Sequence, residues 1–328
     1  MFTPKELTLD LEQTQSQSLF LMDARGSRLL FALSDQEIDP ATTSVRHYSS
    51  SIFIYNAETE QIETVWTPEI EGDYQSGILT SDTTALCGVC LDPSGDNADT
   101  VVSLGAEQNI MAQVDGALDV PVRLGDPIAI FPYTEFESGE PVYHALSIQN
   151  NEIIGNDVWL TSPLAASSIC YSQDQVCYIT EIDGKSYFIT ADENGEQCKN
   201  EFDPAVEKLD SFCRTPNGGR ASMVTDPSHK CVLFRPDGTR ITLDRPGDDT
   251  AVYRLRANSM AALGVDYRFD LMAVVLQDDQ LVVLDDICEE IVSAQAGSPI
   301  SLRSPDSGTF YLFFSETRAL YQVTTSYK

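Results

Sequence analysis

The stretch SICYSQDQVCYITEIDGKSYFITADENG, residues 168–195, decides the fold class. It contains three runs of apolar, β-branched and aromatic residues: Ser168–Ser172, Gln175–Glu181 and Lys185–Ala191. Two-residue polar breaks at Gln173-Asp174 and Asp183-Gly184 separate these runs. Such runs predict strands, and such breaks predict tight hairpin turns. The stretch therefore predicts three consecutive antiparallel strands, and Asn194-Gly195 predicts a turn that leads to a fourth.

The rest of the chain repeats this strand-and-turn pattern, and helical signals are nearly absent. The exception is Asp203–Phe212, where Pro204 suits a helix start and three apolar residues recur three positions apart. We therefore expect an all-β protein in which this segment is the best candidate for a helix.

The turns recur with a long period. One series of turns falls near residues 25, 82, 125, 173, 227, 266 and 305, about 47 residues apart on average. A second series, near residues 58, 107, 150, 194, 246 and 287, has a similar spacing. Two interleaved series with one period predict seven repeated units of four strands each.

The turns of the first series resemble those of WD40-like propellers, in which Pro-Asp-Gly or a variant often joins the second and third strands of a blade. The turns that carry this resemblance are Asp23-Ala24-Arg25-Gly26, Asp226-Pro227-Ser228 and Ser304-Pro305-Asp306-Ser307-Gly308. Where the family favours Trp-Asp, the chain has Tyr55-Asn56, and the Gly-His pair of the family is missing.

The resemblance implies a single seven-bladed β-propeller over residues 1–328, with four-stranded antiparallel blades. The predicted blades span residues 6–56, 61–104, 109–148, 152–191, 196–243, 250–285 and 290–324. A ring needs its first and last strands to meet, and Glu6–Glu12 is predicted to lie beside Ala319–Thr324. Two immunoglobulin-like sandwiches are the structural alternative.

The net charge limits the kinds of molecule that the protein is expected to bind. The chain has 51 acidic and 20 basic residues, a formal net charge of −31, and a hydrophobic fraction of 42%. Such a surface repels phosphate backbones and anionic lipids, and it attracts basic protein surfaces. We therefore expect a protein partner with a basic surface, no direct binding of nucleic acid and no membrane insertion. No signal peptide or spanning segment is recognised, so a cytoplasmic location is expected, with the nucleus left open.

The positions of the cysteines predict packed free thiols and not a disulfide framework, since six of the eight lie in strand-like runs. Cys87 and Cys90 have the spacing of metal and redox sites, but residues three apart on a strand point to opposite faces. Cys170 and Cys177 are predicted to face each other across a hairpin. No metal site is expected.

Long links are predicted at one edge of the blades, where the first-to-second and third-to-fourth strand connections fall. These links are Ser34–Ser50, Pro68–Ser76, Leu91–Ala98, Pro132–Pro141, Thr161–Ser167 and Asp203–Gly219. Loops on a rigid scaffold commonly carry recognition, and exposed aromatic residues anchor interfaces. The candidate interface residues are His47, Tyr48, Tyr74, Tyr133, Phe136 and Phe212, with Glu135 and Glu137. An alternative for each aromatic residue is a small core beneath its own loop.

Signs of catalysis are few. The three histidines lie far apart in the sequence, and phosphate loops, nucleophile elbows and zinc-protease motifs are missing. We expect neither a catalytic residue nor a cofactor, and the sequence favours a non-enzymatic adaptor or subunit of a larger complex. Two alternatives remain: a propeller hydrolase or lyase with a carboxylate site in the central channel, and a carbohydrate-binding propeller.

Overall fold

The computed structural model describes the chain in segments. They are residues 2–11, 17–38, 41, 45–92, 97–123, 128–165, 169–172, 175–192, 194–202, 209–214, 220–224, 231–234, 240–243, 256–258, 261–265, 271–277, 280–283, 300–303 and 309–325. Every strand or helix that these segments contain is a β-strand, 29 in all. None of the described residues forms a helix with the length and apolarity that a membrane crossing requires.

Strand β1, Phe2–Leu7, belongs with Trp159–Lys328 in one compact unit, and Thr8–Val158 forms the other, here called the first unit. The first unit has three antiparallel sheets. One has the order β2-β3-β4-β5, with β2 Gln17–Arg25, β3 Arg28–Ile38, β4 Val45–Asn56 and β5 Gln61–Trp66. The next has the order β6-β7-β8-β9, with β6 Asp73–Leu79, β7 Ala85–Cys90, β8 Thr100–Leu104 and β9 Asn109–Gln113. The third contains β10 Ala117–Leu118, β11 Val122–Arg123, β12 Ile128–Glu137, β13 Glu140–Gln149 and β14 Glu152–Asn156.

This third sheet has the order β10-β12-β13-β14, and β11 also pairs with β12. Its first strand is thus split into two short pieces that pair with the same neighbour. Each of the other sheets of the unit has four continuous strands.

The second unit has four sheets of four antiparallel strands. One contains β15 Ile169–Ser172, β16 Gln175–Ile182, β17 Lys185–Asp192 and β18 Gly195–Phe202. Another contains β19 Leu209–Arg214, β20 Arg220–Val224, β21 Cys231–Phe234 and β22 Arg240–Leu243. A third contains β23 Arg256–Asn258, β24 Ala261–Val265, β25 Leu271–Gln277 and β26 Gln280–Val283. In the last, β1 pairs with β29 Ala319–Thr325, followed by β28 Thr309–Phe314 and β27 Ile300–Arg303.

The all-β class and the four-stranded antiparallel sheets confirm the prediction from the turns. The stretch at 168–195 forms β15 to β17 nearly as expected. Cys170 and Cys177 lie opposite each other in the backbone pairing of β15 with β16. The strand beside β29 is Phe2–Leu7, which overlaps the predicted Glu6–Glu12 by two residues.

The blade boundaries differ from those predicted by one strand. We expected β5 to open the blade at 61–104, but β5 pairs with β4 from Asn56↔Gln61 to Ile52↔Trp66. The reason is local, because residues 57–60 form a turn short enough to keep its two flanking strands antiparallel neighbours. Strands β9, β14 and β18 likewise pair with the strand before them. The sheets therefore span residues 17–66, 73–113, 117–156, 169–202, 209–243 and 256–283, and then 300–325 with 2–7.

The predicted helix is wrong where the structure describes it. Residues 209–212 belong to strand β19, which pairs with β20, whereas residues 203–208 lie outside the described segments. The three-residue spacing of Leu209 and Phe212 therefore does not reflect a helical face.

Apolar side chains pack between neighbouring sheets of the first unit. One buried cluster joins the sheet of β2–β5 to the sheet of β6–β9, and it includes Ile52, Ile54 and Val102. A second cluster joins the sheet of β6–β9 to the third sheet, and it includes Phe131 and Ile148. The sheet of β6–β9 thus buries both faces, which explains the continuous apolar runs of its central strands β7 and β8.

Candidate functional site

The hairpin of β12 and β13 extends beyond the rest of its sheet. Its pairing continues to Glu137↔Glu140, but β10 pairs with β12 only as far as Thr134, and β14 pairs with β13 only from Leu146. Within the described part of the chain, residues 135–142 therefore pair only with one another. We call this segment, Glu135–Val142, the arm.

The turn of the arm explains its shape. Ser138 and Gly139 connect the strands, with φ values of 54° and 88°. Two residues with positive φ form the kind of turn whose twist matches that of a hairpin, and glycine adopts such a φ without steric cost. The predicted long link Pro132–Pro141 is therefore a pair of strands with a two-residue turn.

The two faces of the arm differ in chemistry. Side chains alternate along a strand, so Glu135 and Glu137 share one face, and cross-strand pairing adds Glu140 to it. Phe136 and its partner Pro141 occupy the opposite face. The arm thus presents three carboxylates and Val142 on one side and the apolar pair Phe136 and Pro141 on the other.

Phe136 is the most exposed of the large hydrophobic residues in the described part of the chain, with 68% of its surface accessible. Scattered exposed apolar residues are common, but an aromatic ring at the end of a projecting hairpin is well placed for contact. The structure places Phe136 on one face of the arm and Glu135 and Glu137 on the other, and the use of these residues as an interface stays a prediction.

Tyr133 lies at the base of the arm and is buried. It packs in the cluster between the second and third sheets, and its ring stacks on that of His144 with centroids 5.2 Å apart. Burial raises the pKa of Tyr133 to about 12, with smaller contributions from the charges of Glu135 and Asp157. Tyr133 therefore supports the arm as a core residue, contrary to its prediction as an exposed anchor.

His144 lies between two carboxylates, of which Asp157 is within hydrogen-bond distance. Its Nδ1 lies 2.9 Å from Oδ2 of Asp157, and its Nε2 lies 4.0 Å from Oε2 of Glu135. Asp157 is itself held in place, since its Oδ1 accepts a hydrogen bond from the Ala145 N–H at 2.8 Å. Its N–H donates to the Ala145 carbonyl, also at 2.8 Å. The imidazole thus has a defined orientation on the acidic face of the arm.

Tyr74 is a second predicted anchor that belongs to the core. It is 1% exposed, and its hydroxyl donates to the Ile70 carbonyl at 3.1 Å. Its N–H donates to Oγ of Ser49. Strand β6 begins at Asp73, inside the predicted link Pro68–Ser76, and it carries Tyr74 into the cluster between the first two sheets. Tyr74 is therefore not available for binding.

His47 and Tyr48 lie on β4, in the hairpin that replaces most of the predicted link Ser34–Ser50. The backbone pairs extend to Ile38↔Val45, with His47 opposite Gln36 and Tyr48 opposite Asp35. Tyr48 is half-buried, and the side chain of His47 lies outside the described part of the structure. The two residues stay candidates on a second hairpin of the first unit.

Phe212 belongs to β19 of the second unit, where the structure describes the backbone alone. Its predicted role as an anchor therefore lies outside the described side chains. The same unit contains neither the arm nor the β3–β4 hairpin.

The cysteines with metal-like spacing are buried strand residues. Cys87 packs in the cluster between the first two sheets, and Cys90 donates a hydrogen bond to the Asp92 carbonyl. Burial raises the pKa of both thiols, and the charge of Asp23 adds to the effect at Cys87. Among the residues that the structure describes, no group of three or more His, Cys, Asp or Glu side chains is arranged to hold a metal ion.

Sequence reasoning missed His144 and Asp157 as parts of this site. Once the turn is placed at Ser138-Gly139, pairing across the hairpin puts His144 directly opposite Tyr133. That signal was present in the sequence but was hidden because the segment was interpreted as a loop. Asp157 follows the next strand, and its position beside His144 depends on the bulge in β13–β14 pairing.

Comparisons with known proteins place the fold. No family model matches the chain, and no curated protein matches it. Among solved structures, the chain is similar to a catalytically inactive variant of virginiamycin B lyase from Staphylococcus aureus with quinupristin. The two are 12% identical, with 99% of this chain and 100% of the lyase covered and a TM-score of 0.58.

Two further structures are similar at comparable length. A streptogramin B lyase is 9% identical, with 98% of this chain and 97% of that chain covered and a TM-score of 0.52. A chain of the mitotic checkpoint complex is 11% identical, with 93% and 86% covered and a TM-score of 0.50. At these identities the likeness concerns the fold alone, and it confirms the predicted β-propeller.

Proposed function

We propose that this propeller is a non-enzymatic protein-binding module, an adaptor or a subunit of a larger complex, that holds a basic partner through the arm. The observation that carries the proposal is Phe136, 68% exposed on a hairpin whose other face holds Glu135, Glu137 and Glu140. A partner that covers the ring and pairs with the carboxylates would use both faces.

The energetics favour this use of the arm. Full burial of a phenylalanine side chain contributes about 1.5–3 kcal/mol, which makes Phe136 a suitable anchor. The carboxylates contribute selectivity and a faster encounter, because a formal charge of −31 attracts basic surfaces and repels acidic ones.

The similar folds agree with a binding role without requiring it. One belongs to a protein assembly, the mitotic checkpoint complex, and two are lyases. The propeller fold thus serves both binding and catalysis, so the argument for binding rests on the arm. The hydrolase or lyase alternative and the carbohydrate-binding alternative have no residues assigned to them by the described contacts.

The experiment is a capture of partners from cell extract at low salt with the wild-type chain and the Phe136→Ala variant. We expect a specific partner whose recovery falls about tenfold or more in the variant, as for the anchor of an interface. The matched control is Ile110→Ala, which removes an apolar side chain with 54% exposure from β9. The proposal is wrong if Phe136→Ala and Ile110→Ala recover the same proteins in equal amounts.

A further inference from the structure

We propose that the partner of the arm is an extended segment that pairs with β13 as an added antiparallel strand, and that basic and apolar residues alternate along this segment. The inference rests on the proposed binding role of the arm and names the kind of partner that the arm accepts. It makes the backbone groups of Pro141 and Tyr143 part of the binding surface.

The contacts of Ala145 show which backbone groups of β13 point away from β12. The Ala145 N–H donates to Oδ1 of Asp157, and the Ala145 carbonyl accepts from the Asp157 N–H, both at 2.8 Å. In an antiparallel pair, the residues of one strand alternate between bonding to the partner strand and pointing their N–H and C=O groups outward. Tyr143 and Pro141, two and four positions before Ala145, therefore also point their backbone groups outward.

This outer edge of β13 is open above Ala145. In the described part of the chain, no strand pairs with this side of β13 between Ala145 and the turn. Tyr143 offers one donor and one acceptor there, and Pro141 offers its carbonyl alone because proline has no N–H. On the opposite edge of the hairpin, β10 already pairs with β12 at Thr134. An added strand therefore finds its backbone partners on β13.

A strand at this edge reaches both faces of the arm. Phe136 and Pro141 lie on one face and Glu137 and Glu140 on the other, so a partner that packs flat on one face misses the other. The side chains of an added strand alternate between the two faces. Those on the face of Tyr143 and Pro141 meet apolar groups, and those on the face of Glu140 meet a carboxylate. Charge complementarity then favours lysine or arginine at every second position.

A second copy of the chain does not suit this edge. Pairing of two β13 edges would place the acidic faces of two copies side by side, with Glu140 of each near the other. Like charges on adjacent strands destabilise their pairing, and each copy has a formal net charge of −31. Charged residues and proline are also the features by which proteins discourage pairing of their own edge strands. A basic segment turns the same charge into an attraction.

The test compares three synthetic peptides by isothermal titration calorimetry. The parent is a short peptide of alternating leucine and arginine, and the other two have methyl groups on the backbone nitrogens of either the leucines or the arginines. Leucines opposite Tyr143 and Pro141 would direct their N–H groups at the arm. Methylation at the leucines is therefore expected to raise the Kd about tenfold or more, and methylation at the arginines less than about threefold. Equal Kd values for the two methylated peptides would overturn the inference.

A variant with a shortened arm separates this inference from the proposed function. Asn-Gly replaces residues 136–141, so that Glu135 and Val142 flank a two-residue turn and the sheet below is kept. If this variant binds the parent peptide as tightly as the wild type, the arm is not the binding surface, and both proposals are wrong. If binding requires the arm but the two methylated peptides bind equally, only the inference about the strand is wrong. Dimerisation of the wild type that the variant lacks would assign the edge to a second copy instead.

Hydrogen exchange of single amides provides a second readout. Binding of the parent peptide is expected to slow exchange of the Tyr143 amide about tenfold or more, because this N–H gains an acceptor. The Phe136 amide points outward from the opposite edge of the hairpin and is expected to exchange at an unchanged rate. A Tyr143 amide that exchanges as fast with the peptide as without it would show that the peptide does not pair with β13.

Discussion

The carboxylate of Asp23 joins three sheets of the first unit. It accepts hydrogen bonds from the Leu79 N–H and from Nη2 of Arg123, and Arg123 also donates to the Leu79 carbonyl at 3.0 Å. Asp23 lies on β2, Leu79 on β6 and Arg123 on β11. This link is buried at Asp23, where only 8% of the side chain is exposed.

Asp23→Asn is expected to destabilise the protein by about 2–4 kcal/mol, because it removes the negative charge that the buried Asp23 places against the partly buried Arg123 guanidinium. Urea unfolding measures the effect. The matched control is Asp82→Asn, since Asp82 contacts Arg25 and Arg28 but its side chain is 64% exposed. The control should cost less than about 1 kcal/mol. Equal losses in the two variants would contradict the structural role of the Asp23 link.

The residues of this link show what a sequence can and cannot indicate. Asp23 was identified as part of a turn motif, and strand β2 does end at Arg25, beside that turn. Its partner Arg123 lies 100 residues further along the chain, and no local pattern predicts that contact. The same limit explains Tyr74, because an aromatic residue next to acidic residues has the same local pattern whether it faces solvent or the core.

At the scale of elements, the hairpin of β16 and β17 was predicted well and the hairpin that forms the arm was not. Strands β16 and β17 match the predictions within one residue, since Asp183-Gly184 specifies the turn locally. The arm was predicted to be part of the long link Pro132–Pro141, which begins and ends with proline. Proline is nonetheless tolerated where a strand has only one neighbour, as Pro141 does beyond the edge of β14.

The base of the arm depends on a close approach at Gly116. A Cβ added there would lie 2.1 Å from the Thr134 carbonyl oxygen, which is backbone and has little freedom to move. Gly116→Ala is expected to cost about 1–3 kcal/mol, measured by denaturant unfolding. Gly105→Ala is the control, because its added Cβ meets the flexible Thr84 side chain at 3.3 Å. A stability equal to that of the control would show that β10 can move away from β12 freely.

At the scale of the whole molecule, the long period of the turns predicted the fold class correctly, whereas the grouping of strands into sheets was displaced by one. The period of the turns can be counted in the sequence. The grouping of strands into sheets depends on which links form hairpins and which links lead to the next sheet. The two kinds of link differ by only two residues in length, as residues 57–60 and 67–72 show, although Pro68 and Gly72 occur only in the second. The structure resolves this choice through the backbone pairing of β4 with β5.

The net charge leads to a prediction at the same scale. Association with the captured partner is expected to slow by about tenfold or more when NaCl is raised from about 50 mM to about 500 mM, because salt screens long-range attraction. Stopped-flow or surface plasmon resonance measures the rate. Replacing Glu135, Glu137 and Glu140 with Gln should reduce the salt dependence. An association rate that does not change with salt would exclude a basic partner.

The pairing of β1 with β29 also governs the order of events during synthesis. Phe2 pairs with Thr325 and Leu7 with Leu320, so a ribosome makes the first strand of this sheet long before the second. Until β29 has been made, β1 lacks the strand that it pairs with, and an unpaired strand is a site that other chains can join. The sheet of β1 and β29 can therefore be completed only after every other described strand has been made, so β1 waits longer for its partner than any other described strand.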